Sequence, residues 1–207
     1  MRVFTILGPS HSGKTTLASA LAALEGRAGK RQDVAGVAAV QPFTFMEEDW
    51  AAIDIAGGTE TLAEAGPALA ASDAAIVCVP ADAGAAVLAA PYLRLVEEAG
   101  LPAFLFVNKI DASQDRAADV VAGLQAYCRH NLVLRQVPIR ENGTITGAVD
   151  LISERAWHYE EGKPSSLVKL PEEMLAREQE ARGELLEALA DHDDHLLEEL
   201  IEDHAPL

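Results

Sequence analysis

Positive charge is scarce in this 207-residue sequence: 16 Lys and Arg stand against 33 Asp and Glu, a formal net charge of −17 at pH 7. That excludes broad electrostatic binding of nucleic acid through the chain, and no direct DNA binding is expected. Cysteine is scarcer still. Cys78 and Cys128 lie 50 positions apart. Cys78 falls in an apolar run, which reads as a buried free thiol rather than half of a disulfide. Long apolar runs are also missing, because Gly, Pro or a charge cuts each one short of a membrane span. The N-terminus lacks the form of a signal peptide and reads as the first strand of the fold. A soluble, cytoplasmic protein with no membrane partner is the expectation. What the sequence does hold is apolar content, 49% of residues, enough for one large domain or a domain with a sizeable insertion.

One stretch organises the rest. Gly8-Pro9-Ser10-His11-Ser12-Gly13-Lys14-Thr15 follows the apolar run Val3 to Leu7 and opens the Ala- and Leu-rich segment Thr15 to Leu24. This is the phosphate-binding pattern G-x-x-x-x-G-K-[ST] in its context of strand, loop and helix. Glycines let successive N–H groups point into one concavity, and the helix N-terminus adds partial positive charge beneath a phosphate. Gly8, Ser10, His11, Ser12, Gly13, Lys14, Thr15 and Thr16 are therefore the candidate phosphate-binding residues. Lys14 is placed to reach the outer phosphates, and the Thr15 hydroxyl to ligate Mg²⁺.

Taken in order, Arg2 to Leu7 reads as a strand, Thr15 to Leu24 as a helix and Glu25 to Gly36 as a loop. Val37 to Phe45 and Trp50 to Asp54 read as an antiparallel hairpin around the polar turn Met46-Glu47-Glu48-Asp49. Helices are expected over Glu60 to Ala71, capped by Thr59 and kinked at Pro67, over Gly84 to Ala99, bent at Pro91, and over Gln114 to Arg129. Strands are expected at Ala74 to Val79, a central parallel one, and at Ala103 to Val107. This alternation through His130 specifies an α/β fold of the P-loop NTPase class: a doubly wound, mainly parallel sheet with one antiparallel hairpin. The texture then changes. Strands at Leu132 to Ile139 and Thr144 to Ile152 precede an irregular stretch, and helices follow at Pro171 to Leu189 and Leu196 to Glu202. Leu185, Leu189, Leu196 and Leu200 fit one packed face. The expected organisation is a core over 1–130 and a small α+β subdomain over 131–207.

Two further loops are placed at strand ends, where ligands bind in open α/β sheets. Asp54-Ile55-Ala56-Gly57 would hold Mg²⁺ through a water at Asp54 and bring the Gly57 N–H to the terminal phosphate. Asn108-Lys109-Ile110-Asp111 carries a carboxylate able to accept from guanine N1–H and its 2-amino group. Adenine offers no such pair, so a buried Asp111 left unpaired would select guanine. Asn108 and the Lys109 stem would brace the loop and cover the base. His192 and His195 among Asp191, Asp193 and Asp194 form a weaker metal candidate, since a solvated helix terminus accounts for them.

Gly13-Lys14-Thr15-Thr16-Leu17, the D-x-x-G and Asn108-Lys109-Ile110-Asp111 resemble the guanine-nucleotide domain of translational GTPases. Gln136-Val137-Pro138-Ile139, Gly147-Ala148-Val149-Asp150-Leu151-Ile152, Ala156-Trp157 and the run Leu185 to Asp194 are similar to elongation factor G and its relatives. There these stretches form a subdomain inserted in the nucleotide domain. The resemblance implies a ribosome-dependent GTPase that binds GTP and GDP with Mg²⁺ as cofactor, with Lys14 and Gly57 at the reacting phosphate. Three departures bear on hydrolysis and extent. Lys14 and Asp54 are only 40 positions apart, so the long first switch is shortened and its R-G-I-T threonine has no counterpart; Gly36 aligns near it. The histidine of the family's D-T-P-G-H is Gly58 here. A Ser-Ala base-binding motif on a final strand does not appear before Leu207, which reads as an N-terminal piece of something longer. Losing both hydrolytic parts is expected to damage turnover. Two alternatives stand beside a GTPase: a nucleotide-gated binding module without catalysis, and an adenine-nucleotide enzyme of the same loop class.

Overall fold

The computed structural model describes every residue except Gln114, Glu161, His192 and 202–207; of Thr59, Ala85, Glu199, Leu200 and Ile201 it describes the backbone alone. The chain divides into two compact units, Met1–Arg129 and His130–Leu207.

The first unit is built on a sheet. Its strands are β1 (Arg2–Leu7), β2 (Gln32–Val34), β3 (Ala38–Phe45), β4 (Glu48–Ile55), β5 (Ala74–Pro80) and β6 (Ala103–Asn108), in the spatial order β2-β3-β4-β1-β5-β6. β4, β1, β5 and β6 run parallel, while β2 and β3 complete an antiparallel end. The helices are α1 (Lys14–Ala23), α2 (Leu62–Ala70), α3 (Ala83–Ala86), α4 (Ala90–Ala99) and α5 (Ala117–Gln125). Apolar runs make the interior strands: Ile6, Leu7, Val77 and Val79 are essentially inaccessible to solvent. Burying each such side chain is worth roughly 1.5–3 kcal/mol. Phe4, Phe43 and Trp50 form an aromatic cluster under α1, with ring centroids 6.2–6.5 Å apart. Every parallel strand therefore delivers its carboxyl end to one edge of the sheet, where the three sequence motifs begin. β5 lies between β1 and β6, as its apolar run requires. At the outer edge, Phe104 and Phe106 of β6 are exposed.

Several local expectations change. The stretch 25–36 is not all loop: Gln32–Val34 pairs with Ala38–Val40, and Ala28 bridges Phe43. The hairpin turn shrinks to Met46-Glu47, because Phe45 pairs with Glu48. Both turn residues have positive φ, 49° and 62°, the right-handed-twist-compatible geometry of a two-residue turn. The segment expected as one bent helix is α3, a 3-10 turn at Val87–Ala89 and then α4, with Pro91 starting the new helix rather than bending an old one. The helix expected to Arg129 stops at Gln125. Its start at Gln114, like Glu202 and His192 in the tail, lies outside the described residues, and so does the capping side chain expected of Thr59.

The second unit is a four-stranded antiparallel sheet, β10-β9-β8-β7, with β7 (Gln136–Glu141), β8 (Thr144–Asp150), β9 (Arg155–His158) and β10 (Ser166–Val168), followed by α6 (Leu175–Ala190) and α7 (Asp194–Ile201). Asn142-Gly143 makes the β7–β8 turn. Val137, Ile139, Val149, Leu151, Met174, Ala181 and Leu185 form its core. Leu189 is exposed rather than packed with Leu185. Asp150 caps the turn after β8 by accepting from the Ile152 and Ser153 amides and from Arg135. Burial alone would raise its carboxyl pKa; those donors hold it lower.

Candidate functional site

The chain must turn from β1 into α1 between Leu7 and Lys14, and two glycines make that possible. A Cβ on Gly8 would lie 2.1 Å from the Cys78 carbonyl oxygen, and one on Gly13 would lie 2.1 Å from Asn108 Nδ2. Ser12 is fully buried. Its carbonyl accepts from Asn108 Nδ2 at 2.8 Å and from the Cys78 thiol at 3.2 Å, while its hydroxyl is buried without a partner. Cys78 is a free, buried thiol whose pKa burial pushes up, so it stays neutral. Lys14 is 6% exposed and donates from Nζ to the carbonyls of Gly8 at 3.0 Å and Pro9 at 2.9 Å. Burial pushes its pKa down, against the opposing pull of Asp54 and Cys78.

The end of β4 meets this loop. The Thr15 hydroxyl donates to Asp54 Oδ2 at 2.6 Å, and Arg31 Nη2 donates to the same oxygen at 2.8 Å. The Ser10 hydroxyl donates to the Gly57 carbonyl at 2.6 Å. Gly58 is clamped from the other side: its N–H donates to the Tyr92 hydroxyl at 3.0 Å, and Thr61 Oγ1 bonds the Ala56 and Gly58 carbonyls. A cleft of about 370 Å³ opens here, with Ser10, His11, Lys14, Thr15, Arg31, Asp33 and residues 36–39 and 54–57 on its walls. Gly8 and Ser12 lie buried in the loop, and Thr16 is exposed on α1.

The third motif reaches the first through Asn108. Its amide nitrogen holds Ser12, and its amide oxygen accepts the Lys109 N–H at 2.8 Å. Lys109 has φ 59°, which turns the loop away from the strand. Lys109 and Asp111 are exposed. The burial expected at Asp111 is not found in the free chain, where its side chain is exposed.

With this geometry in place, comparison with known proteins is decisive at the family level. The elongation factor Tu GTP-binding domain family matches residues 38–195. The chain belongs to this family. The family match starts after the phosphate loop, but relatives extend it. An elongation factor G-like protein of a Synechocystis species is 30% identical across the whole of this chain, which spans 34% of that protein. The mitochondrial elongation factor G of Drosophila virilis is 29% identical over 73% of this chain, 20% of its own length. A crystal structure from Thermus thermophilus superposes with a TM-score of 0.81 at 28% identity, over 99% of this chain and 33% of that one. The chain thus spans about a third or less of these relatives. It is an elongation factor G-like GTP-binding domain with the α/β architecture expected.

The Mg²⁺ that the family resemblance implies would be held by one hydroxyl, Thr15, and one carboxylate, Asp54, the sparse oxygen set with which proteins hold Mg²⁺ beside phosphates and water. Among the described residues no cluster of three or more His, Cys, Asp or Glu side chains suits a metal, the His195 region included. No described helix is long and apolar enough to cross a membrane. Three residues that hold the site escaped sequence reasoning: Arg31, Thr61 and Tyr92. Arg31 carried a faint signal, because Arg27, Lys30 and Arg31 concentrate basic charge in an acidic chain.

Proposed function

We propose that this chain is the guanine-nucleotide-binding domain of an elongation factor G-like translational GTPase, with a core over 1–130 and an inserted subdomain over 131–207. GTP and GDP are the ligands. Lys14 leaves the Gly8 and Pro9 carbonyls to meet the outer phosphates, and the backbone N–H groups of 10–16 cradle them. Thr15 and Asp54 would hold Mg²⁺, which when bound would neutralise phosphate charge. Asp111 reads the guanine edge, with Asn108 and Lys109 bracing the loop. The observation that carries this reading is the pair of contacts, Thr15 to Asp54 and Asn108 to Ser12, that joins three motifs distant in sequence. The ribosome is the partner through the full-length protein, and the cytoplasm its place.

Turnover is weak in this reading. Where the family has its water-orienting histidine, Gly58 has φ 142°, and a Cβ there would lie 2.4 Å from Glu60 Oε1. That observation favours a second reading, a nucleotide-gated module without catalysis. Equilibrium binding of GDP, GTP and ATP, with and without Mg²⁺, tests the site: guanine-selective binding is expected, and ATP competing as well as GTP would return the adenine-nucleotide alternative. Single-turnover hydrolysis with ribosomes separates the two readings, since background rates would leave only the module.

A further inference from the structure

The Thr15–Asp54 pair has a third member that the family motifs do not contain. Arg31 Nη2 donates to Asp54 Oδ2 at 2.8 Å, and Arg31 Nη1 is buried with no hydrogen-bond partner. The side chain lines the cleft with Lys14, Thr15 and Ser10. Its backbone is not a free loop. The Gly29 N–H donates to the Pro42 carbonyl at 2.8 Å, Gln41 Nε2 donates to the Gly29 carbonyl at 2.9 Å, and Gln32 pairs with Val40. Arg31 is therefore held between two attachments to β3, with its guanidinium fixed at one end by Asp54.

A guanidinium presents a planar fork of donors suited to phosphate oxygens, and it remains charged at every relevant pH. Here one arm of the fork is anchored and the other is unused, in a cleft whose other cation is Lys14. Arg31 stands directly ahead of β2, whose pairing with β3 keeps it at this wall. We propose that Arg31 is a phosphate-binding residue of this site, contacting the outer phosphates of the guanine nucleotide in cis across the cleft from the phosphate loop. The inference rests on the nucleotide reading above. Asp54 orients the arginine, and the guanidinium N–H groups that Asp54 does not take are the donors left for the phosphate.

Equilibrium binding of GTP, GDP and GMP to the full chain and to Arg31→Gln tests it, with circular dichroism and an unfolding curve for each protein. Arg31→Gln is expected to weaken GTP and GDP tenfold or more while GMP, which lacks the outer phosphates, changes less than threefold. Arg31→Lys, which keeps the charge and loses the fork, falls between. GTP and GDP affinities within twofold of the parent, or an equal loss for all three nucleotides, would overturn the assignment and leave Arg31 as a structural partner of Asp54. Guanine nucleotides failing to bind the parent chain at all would instead overturn the nucleotide reading, and this inference with it.

Discussion

Around the phosphate loop, polar side chains are bonded to one another about the buried Lys14 and Asp54: Lys14 on two carbonyls, Thr15 and Arg31 on Asp54, Ser10 on Gly57. At the Asn108–Asp111 loop, Lys109 and Asp111 are exposed and one side chain, Asn108, does the bracing. The difference is one of preorganisation. On the proposed nucleotide reading, a phosphate would replace contacts that folding has already ordered. At the Asn108–Asp111 loop the ordering costs would fall at binding, and selectivity would depend on hydrogen bonds made only with the correct base.

The largest effect should come from the buried cation. Lys14→Met is expected to lower GTP affinity by more than about a hundredfold, on the order of 3 kcal/mol, measured by titration with a fluorescent GTP analogue. Undiminished affinity would break the comparison at its stronger end. Asp111→Asn should weaken guanine and improve xanthine binding, each by on the order of tenfold, because the acceptor opposite the 2-position becomes a donor. An unchanged preference would place Asp111 off the base. Asn108→Ala touches both ends, since it frees the Ser12 carbonyl and the Lys109 turn together. A loss of about 1 kcal/mol in binding both GDP and GTP is expected, and an effect on unfolding alone would confine Asn108 to the fold.

Lys14 also has a signature in stability. Its pKa is lowered in the fold by burial, so the unfolded chain binds the proton more readily. Stability is withheld while the group is charged and regained as pH rises through the alkaline range below the ordinary 10.5. The parent minus Lys14→Met difference in unfolding free energy should therefore shift in favour of the parent across that range; a flat difference would remove the claimed desolvation. The smallest effect belongs to Ser12→Ala. The hydroxyl is buried without a partner, so its removal should relieve a desolvation cost and raise stability by up to about 1 kcal/mol, as a denaturant titration would measure.

The phosphate loop, the core strands and the order of three motifs were legible because each is a local pattern: an apolar run, a glycine spacing, a carboxylate at a strand end. β2 was not. Gln32, Asp33 and Val34 are all exposed, and no alternation marks a strand whose existence depends on the edge of β3. Arg31 left only the faint signal of its basic neighbours, because its partner lies 23 positions away and only the folded sheet brings them together. Thr61 and Tyr92 hold Gly58 by hydroxyl contacts that carry no spacing rule. Leu189 followed the helical period of Leu185 yet faces solvent, because periodicity names a face without saying what covers it.

The outer strand of the nucleotide unit has a colloidal consequence. β6 ends the sheet among the described residues, and Phe104 and Phe106 stand exposed along it, 63% and 39% accessible. A strand edge flanked by bare rings is a template for adhesion between copies unless a further strand pairs with it. What holds copies apart is the formal charge of −17, a repulsion whose range shrinks to about 8 Å at physiological salt. Added salt strips that protection from the edge, so dilute buffer is the medium in which this molecule keeps best.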